Sequence, residues 1–312
     1  AFTVVVFFVL RYLMDIGVIS DLLRGIINLA CVNVIAAVSL NMVTGLMGQL
    51  VLGHAGFMLV GAYASALFTI HSVWAVSFSR LPSLILVGLV AGFIGLLIAI
   101  PALRLRGDYL AIVTLACGEI IKNVITNLNF TGGALGLNTT AIYAGAKELL
   151  PYGAVLVLLT VAVMLNLKRS KYGRAIMAIR DNRIAAESVG LNVTWYKLAV
   201  FVIAAFFAGC AGVLYGHSLA NIKAAAFDHN MSIEILVIVV LGGMGSVPGS
   251  IASAIALTVL PEALREVADY RMLVYAIVLI LVMQATNNPT MKRFFGSVRE
   301  KLTPKRKERA AL

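Results

Sequence analysis

The chain has 312 residues, of which 61% are apolar and 12% are charged, and its formal net charge is +11. This composition excludes an ordinary soluble domain, because a chain of this length cannot bury so much apolar surface, whereas a lipid bilayer can cover it. The apolar runs are too long and too continuous for barrel strands, so the spans are predicted to be helices. The expected fold class is an all-α, polytopic membrane protein.

Ten apolar segments follow one another along the chain, and the eighth and ninth are shorter than the roughly 20 residues that a full crossing requires. The first ten residues lack a basic leader and a small-residue cleavage site, so we expect a first span there rather than a signal peptide. A single transmembrane domain is predicted over 1–290 and a basic tail over 291–312. The ten segments lie near 1–14, 24–44, 50–70, 82–101, 109–128, 149–167, 197–218, 232–246, 248–262 and 271–286.

Two glycine-rich stretches interrupt this apolar pattern. The sequence GLMGQLVLGHAG divides the second and third segments, and GGMGSVPG divides the eighth and ninth. Such breaks at membrane depth are typical of the discontinuous helices of transporters, although glycines also permit close helix packing. Pro248 and the short flanking segments favour the first interpretation, since they imply that the backbone leaves helical form. We therefore expect the two breaks to flank a translocation path.

Basic residues are distributed unequally between the two predicted sides of the membrane. Ten crossings place both termini and the connections near 45–50, 101–108, 168–197 and 244–248 on the same side. That side holds 17 basic residues against seven on the other. Because basic residues accumulate on the cytoplasmic side, both termini and these connections are predicted to be cytoplasmic. Topology and affinity for anionic lipid explain the high pI, and no nucleic-acid partner is expected.

The segment 168–197, KRSKYGRAIMAIRDNRIAAESVGLNVTWYK, is a polar, basic island between apolar segments. It is predicted to form one helix or two short ones. Arg183 and Glu187 have the i,i+4 spacing of an ion pair, and Gly190 is a natural helix stop. Two roles fit such an element at the inner face of the membrane: an anchor in the lipid headgroup layer, or a coupling helix that docks into a groove on an ATPase.

The chain lacks the motifs by which it would power itself or catalyse a reaction. It has no GxxxxGK[ST] phosphate loop, no HExxH, no GxSxG and no Cys/His cluster. Cys31, Cys117 and Cys210 lie inside apolar runs without metal or redox spacing, and we interpret them as packing residues. We expect neither enzyme activity nor a metal or cofactor in this chain, so any ATP must be bound by separate subunits.

Five stretches share a recognisable order and spacing: GLMGQLVLGHAGFMLVGAY (45–63), LRLRGDYLAIVTLACGEIIKN (103–123), TGGALGL (131–137), IRDNRIAAESVGLN (179–192) and VVLGGMGSVPGSI (239–251). Together they resemble the branched-chain amino-acid permease family of ABC importers, closest to its LivM-type members. The resemblance implies a permease subunit in a bacterial cytoplasmic (inner) membrane. Relatives with the same motif order handle urea, short amides and other amino acids, so the cargo stays open.

The resemblance also implies partners. These are two ABC ATPase subunits in the cytosol, a solute-binding protein at the outer face, membrane lipid, and either a related LivH-type permease subunit or a second copy of this chain. It identifies AAESVG as a loose form of the coupling motif. The residues assigned to ATPase coupling are Arg174, Arg180, Asp181, Arg183, Glu187 and Gly190, with Arg104 and Arg106 as a second contact or, alternatively, as anchors at the lipid surface.

A path for leucine, isoleucine or valine must pass an apolar side chain together with an ammonium and a carboxylate group. Within the family resemblance, the glycine breaks are expected to offer free backbone N–H and C=O groups to this zwitterion. Glu119 and Lys122 are either a structural ion pair or path-lining groups, and His54 is either a packing residue or a substrate contact. The residues assigned to the path are Gly45, Gly48, Gln49, Gly53, His54, Glu119, Gly242, Gly243, Gly245 and Pro248.

Two other classes of protein stay open at this point. A self-contained secondary transporter or channel would carry paired carboxylates, arginines or lysines deep in several spans, and in this sequence only Glu119 and Lys122 qualify. The 168–197 island would then be a surface anchor. A membrane-embedded enzyme would require a nucleophile–base pair or a metal set, and the sequence shows neither.

Overall fold

A computed structural model describes residues 21–71, 76–105, 107–263 and the separate positions 277 and 280. The chain divides into two units, residues 1–259 and 260–312. The described part of the first unit is built almost entirely of helices. Of the second, the description covers the end of the last helix and the helical positions 277 and 280. The predicted segment near 1–14, most of that near 271–286, the tail and the predicted boundary at 290 lie outside the described residues.

Ten α-helices occur within the described ranges. They are α1 Asp21–Asn41, α2 His54–His71, α3 Val76–Ala102, α4 Asp108–Asn127, α5 Ala146–Arg169, α6 Lys171–Asp181, α7 Arg183–Ser188, α8 Val193–His217, α9 His229–Gly242 and α10 Val247–Ala263. A two-residue antiparallel ladder joins β1 Leu137–Asn138 to β2 Asn221–Ile222, with Leu137 opposite Ile222.

Six described stretches are long and apolar enough to cross a membrane, and α10 contains a shorter apolar helix over Val247–Glu262. The protein is therefore an all-α, multi-pass membrane protein. The total of ten segments and the sidedness of the chain stay predictions. The six stretches are Leu23–Leu46, Pro82–Ala102, Asp108–Asn127, Ala146–Arg169, Val193–His217 and Ala224–Gly242.

The central packing contact of the first unit is between α8 and its neighbours α2 and α3. Small residues allow the backbones to approach closely, which is the usual basis of helix association in lipid. Gly61 of α2 lies against the Gly209 carbonyl of α8, and Gly212 of α8 lies against the Met58 carbonyl of α2. A side chain at either glycine would overlap the backbone of the facing helix, so the sequence requires glycine at both places.

The outer surface of α3 shows the opposite pattern. Ile85, Leu89 and Phe93, spaced four residues apart, expose 64%, 62% and 59% of their surface. A stripe of large exposed apolar side chains on one face of a helix is expected where lipid covers that face. This stripe and the close contact of Gly209 of α8 with Ala91 of α3 together orient α3 in the bundle.

Replacing Gly212 with leucine should lower the free energy of unfolding by about 1–3 kcal/mol, as is usual for overpacking. The reason is that a Cβ at this position collides with the backbone of Met58, which cannot move aside as a side chain can. The measurement is thermal unfolding of the detergent-solubilised protein. Gly25→Leu is the matched control, because a Cβ at Gly25 meets nothing within 4 Å. Equal melting temperatures for the two variants would contradict this packing account.

Candidate functional site

The first glycine break separates α1 from α2. Beyond Asn41 the backbone forms a π-helical turn over Met42–Leu46 and is then non-helical through residues 47–53, so α2 begins only at His54. The predicted third segment therefore starts about one turn too early, because its first residues belong to the break. Gly48 has a φ of 71°, a conformation that favours glycine.

The start of α2 is capped by side chains from two other helices. The Leu52 N–H donates to the Thr114 hydroxyl of α4 at 3.2 Å, and the Ala55 N–H donates to the Ser232 hydroxyl of α9 at 3.0 Å. The first N–H groups of a helix have no partner within it and must be satisfied elsewhere when they are buried. The Ser232 hydroxyl thus caps the buried start of α2, and the Thr114 hydroxyl binds the break just before it.

The second break is a tight connection between α9 and α10. Gly243 and Gly245 have φ values of 85° and 81°, and α10 already begins at Val247. Pro248 therefore lies in the first turn of a helix, where its missing N–H costs no hydrogen bond, and it is not a residue at which helical form is lost. Gly242 and Gly249 lie so close together that a Cβ on either would overlap the other's backbone. These two glycines serve packing.

The two breaks meet in space, and Asn41 joins them. Its side chain is fully buried. The Asn41 Oδ1 atom accepts the Gly245 N–H at 2.7 Å, while Nδ2 donates to the Ser250 hydroxyl at 2.8 Å and to the Ser246 carbonyl at 3.3 Å. A Cβ at Gly45 would overlap both Asn41 and the Gly245 backbone. The backbones of the two breaks are thus in direct contact.

Two cations from the basic island bind the carbonyl groups of these breaks. Arg180 of α6 donates from Nη1 to the Gly45 carbonyl at 2.9 Å, and its aliphatic stem covers Gly48, where a Cβ would lie 2.9 Å from Arg180 Cδ. Lys168, in the last turn of α5, donates from Nζ to the Gly245 carbonyl at 2.7 Å. We call Asn41, Gly45, Gly245, Lys168 and Arg180 the break cluster.

The break cluster unites residues that the sequence assigned to separate roles. Arg180 was predicted to couple to an ATPase, and Gly45 and Gly245 were predicted to flank the path; the structure brings them into contact. Lys168 was not predicted to take part in either role. The sequence does offer one signal for Lys168, because a basic residue at a helix C-terminus complements the helix dipole. Its target, a carbonyl 77 positions away, had no local signal.

The basic island folds as two helices and a helix start. Ser170, Asn182 and Asn192 cap α6, α7 and α8 by accepting N–H groups at 3.1 Å each. A separate small core beneath these helices consists of Ile179, Ala186 and Val193. Since these three residues come from three consecutive elements, the island is a folded unit and not a loose loop.

Two local predictions for the island are confirmed. Arg183 Nε lies 2.7 Å from Glu187 Oε1, the expected i,i+4 ion pair. Gly190 has a φ of 85° directly after α7, as expected of a helix stop. Arg180 also binds its neighbour, with Nε and Nη2 at 3.0 and 2.9 Å from Asp181 Oδ1. Arg180 therefore connects the exposed Asp181 to the buried break.

A groove of about 490 Å³ lies between the first break and α6–α7. The predicted coupling residues Arg174 and Arg104 are exposed but do not line this groove. The Arg174 guanidinium instead donates to the carbonyl of Arg169 at 3.3 Å. Arg106 lies outside the described residues. The polar and charged residues that line the groove include Gln49, Arg180, Asp181, Arg183, Glu187 and Lys197.

The other predicted path residues lie apart from the break cluster. His54 is 1% exposed, its Nε2 atom lies 2.8 Å from the Ser39 hydroxyl, and its ring meets Phe57 edge-on, which is the environment of a packing histidine. Gly53 lies against the Thr114 carbonyl and serves helix packing. Glu119 pairs with Lys122 on α4 at 2.5 Å.

Several backbone groups of the breaks already have partners, so these particular groups are not the free ones that the sequence predicts. Side chains from other helices bind the N–H groups of Leu52, Ala55 and Gly245 and the carbonyl groups of Gly45 and Gly245. The physical reason is that an unpaired backbone group away from water is costly, so irregular backbone in a membrane protein recruits partners. A substrate would have to displace these partners in order to bind here.

Replacing Asn41 with leucine should lower the free energy of unfolding by about 1–3 kcal/mol, because the half-buried Gly245 N–H would lose its acceptor. Asn33→Leu on the same helix is the control. It also removes one amide, but its partner Thr258 keeps a hydrogen bond to the Ala254 carbonyl. Thermal unfolding in detergent compares the two, and a similar loss of stability in both would disagree with the bridging role of Asn41.

Residues 22–283 match the family model described as branched-chain amino acid transport system / permease component. The chain is 36% identical over 294 residues to the high-affinity branched-chain amino acid transport system permease protein LivM of Salmonella typhimurium. The alignment covers 83% of this chain and 68% of the relative. The LivM protein of Escherichia coli matches to the same extent. It is 24% identical over 294 residues to the LivH permease protein of Salmonella typhimurium, covering 82% and 90%. No solved structure matches. The chain belongs to the branched-chain amino-acid permease family.

Proposed function

We propose that this chain is the membrane-spanning permease subunit of an ABC importer for branched-chain amino acids. Its cargo is delivered by a solute-binding protein, and transport is driven by ATP hydrolysis in separate subunits. The relatives named LivM and LivH, permease proteins of a high-affinity branched-chain amino acid transport system, support this proposal. The structural observation that carries it is the bond from Arg180, in the basic island, to the Gly45 carbonyl in the first break.

Force applied to α6 and α7 reaches both breaks through the break cluster. Arg180 holds the Gly45 carbonyl. Lys168, which lies three residues before the start of α6 at Lys171, holds the Gly245 carbonyl. Hydrogen bonds from charged groups are worth roughly 1.5–3 kcal/mol each, so the island and the breaks are expected to move together. Non-helical, glycine-rich backbone absorbs such a movement more readily than the interior of a helix.

The surface proposed to bind the ATPase lies on α6 and α7. It combines exposed charges, including Arg174, Asp181 and Glu187, with two large apolar side chains in an otherwise polar segment: Ile184 is 81% exposed and Val189 80%. Exposed apolar residues among charged ones are typical of a surface that another protein covers. In the orientation predicted from the basic residues, this surface and both termini are cytoplasmic, in a bacterial inner membrane.

The island also has an aromatic edge that fits the headgroup layer. The Trp195 and Tyr196 rings are 5.3 Å apart, Tyr172 lies 6.4 Å from Trp195, and the Lys171 ammonium lies 5.3 Å from the Tyr172 ring. Trp and Tyr are enriched at the membrane–water interface. We infer that the start of α6 is anchored at the membrane surface while α7 projects toward the ATPase, so the two roles considered for the island are combined.

The opposite end of the bundle is proposed to receive the solute-binding protein. Two loops, residues 128–145 and 218–228, are joined there by the β1–β2 ladder, and the Thr139 and Ala144 N–H groups donate to the Ala220 and His217 carbonyls at 3.0 Å each. Cross-bonded loops form a preorganised surface, which reduces the entropy lost on docking. The second permease subunit is proposed to be LivH-type, with a homodimer as the alternative.

Reconstitution tests the function as a whole. The chain is assembled in liposomes with candidate ATPase and LivH-type subunits and a binding protein from the same cell, and uptake of labelled leucine, isoleucine and valine is measured. We expect uptake that requires ATP and the binding protein. Uptake that persists without the ATPase would indicate a self-contained secondary transporter. A binding protein that prefers urea or a short amide would indicate a different cargo.

Replacing Arg180 with methionine should reduce uptake by about 10- to 100-fold, which corresponds to the loss of one charge-assisted hydrogen bond from the step that moves the breaks. ATP hydrolysis should continue, because the break is uncoupled and the ATPase itself is intact. The matched control is Lys171→Met, which removes an exposed charge from the same helix at its membrane end. Uptake by Arg180→Met at the rate of the control would count against the coupling role.

A further inference from the structure

An ion pair lies at membrane depth on α4, outside the break cluster. Lys122 Nζ is 2.5 Å from Glu119 Oε2, and His229 Nδ1 of α9 is 3.6 Å from Glu119 Oε1. Glu119 follows Asp108, the first residue of α4, by 11 positions, which is roughly 16 Å along a helix and close to the middle of a hydrocarbon core about 30 Å thick. The Glu119 and Lys122 side chains keep 30% and 19% of their surface exposed.

The half of α4 that carries this pair is open in the described chain. The buried residues of α4 are Leu110, Ala111 and Thr114, all in its first half. Ionisable residues within spans face a partner or a wet cavity, because hydrocarbon solvates them poorly. Three large apolar side chains of α4, Ile112, Ile120 and Val124, are exposed as well, as on the stripe of α3, so it is the ion pair itself that indicates a wet environment. We infer that this part of α4 faces the interior of the assembled transporter.

Helix stability does not explain the pair. Glu119 and Lys122 lie three residues apart on one helix, so their bond joins no two helices. Such i,i+3 pairs stabilise a helix only slightly, less than the penalty for placing two charges at membrane depth. The contact with His229 does join α4 to α9, but it is long, and it is ionic only if the histidine is protonated.

We propose that Glu119 and Lys122 form a transit site for the zwitterionic end of an amino acid. The α-ammonium group of the cargo binds the Glu119 carboxylate, its α-carboxylate binds the Lys122 ammonium, and the pair closes again when the cargo leaves. Because the pair and the zwitterion are both neutral, cargo binding adds no net charge to the site, in which Asp228 is a further acid within electrostatic range of Lys122. This proposal rests on the proposed function. It assigns recognition of the cargo's ammonium and carboxylate groups to two side chains, because the break backbone groups named above are already bonded.

The exposed side of the pair is the side that cargo would reach. On its other side, Glu119 lines a crevice between α2, α4 and α9 of only about 10 Å³, which is too small for an amino acid. Close contact of the α2 and α4 backbones, where a Cβ at Gly56 would lie 2.8 Å from Gly118 Cα, keeps this crevice narrow. The cargo side chain needs no dedicated pocket, since the binding protein selects the cargo.

The test uses the reconstituted importer with its ATPase, second permease and binding protein, with uptake expressed per assembled complex. Glu119→Gln and Lys122→Met should each reduce leucine uptake at least tenfold, while ATP hydrolysis stimulated by the loaded binding protein is retained. Asn127→Ala is the control on α4. The exposed Asn127 amide donates a hydrogen bond to the Asn123 carbonyl of the same helix, and no other contact of it is described. It should transport at the wild-type rate, and equal rates in Glu119→Gln and Asn127→Ala would overturn the proposal.

A charge exchange, Glu119→Lys combined with Lys122→Glu, distinguishes the transit site from a structural pair. It keeps an ion pair and the net charge but reverses its polarity along the helix. We expect normal assembly with uptake still reduced at least tenfold. Restored uptake in the exchanged variant would overturn the proposal. The proposal would also be overturned if the single variants fail to assemble and the exchange repairs both assembly and uptake, because the pair would then be structural. Failure of the wild-type complex to import with ATP would instead refute the proposed function.

Discussion

The requirement that backbone polar groups have partners away from water governs this structure. Two chain segments leave helical form within an apolar bundle, and each exposes N–H and C=O groups that lipid cannot satisfy. The protein meets this requirement with side chains from distant helices: Asn41, Thr114 and Ser232 bind the N–H groups, while Lys168 and Arg180 bind the carbonyls. The breaks are stable because the rest of the bundle is built around them.

The same bonds give the structure its mechanical connections. The partners of the Gly45 and Gly245 carbonyls are cations of the folded basic island, so the groups that stabilise irregular backbone also connect it to the surface proposed to bind the ATPase. Glycine is required at the contact for two reasons. A side chain at Gly45 would separate the two breaks, and one at Gly48 would displace Arg180. The contacts that stabilise the breaks are thus the same ones through which the proposed movement would reach them.

Much of the fold could be predicted because its signals are local. Apolar runs of sufficient length predict membrane helices, glycine clusters predict where these are interrupted, and the resemblance in five ordered stretches identified the family that the comparison confirms. The Arg183–Glu187 pair and the stop at Gly190 follow from spacing alone. Pro248 was misread, because a proline in the first turn of a helix has the same sequence as a proline that ends one.

By itself, the sequence determined the class of protein, the family, the positions of both breaks and the presence of a folded basic island, since each of these depends on composition or on residues near one another in the chain. Only the tertiary structure decided which side chains complete the breaks. Asn41 meets Gly245 across 204 positions and Arg180 meets Gly45 across 135, and such pairs arise from the packing of whole helices. The same packing buried His54 and left Glu119 half-buried, a distinction that no local pattern carries.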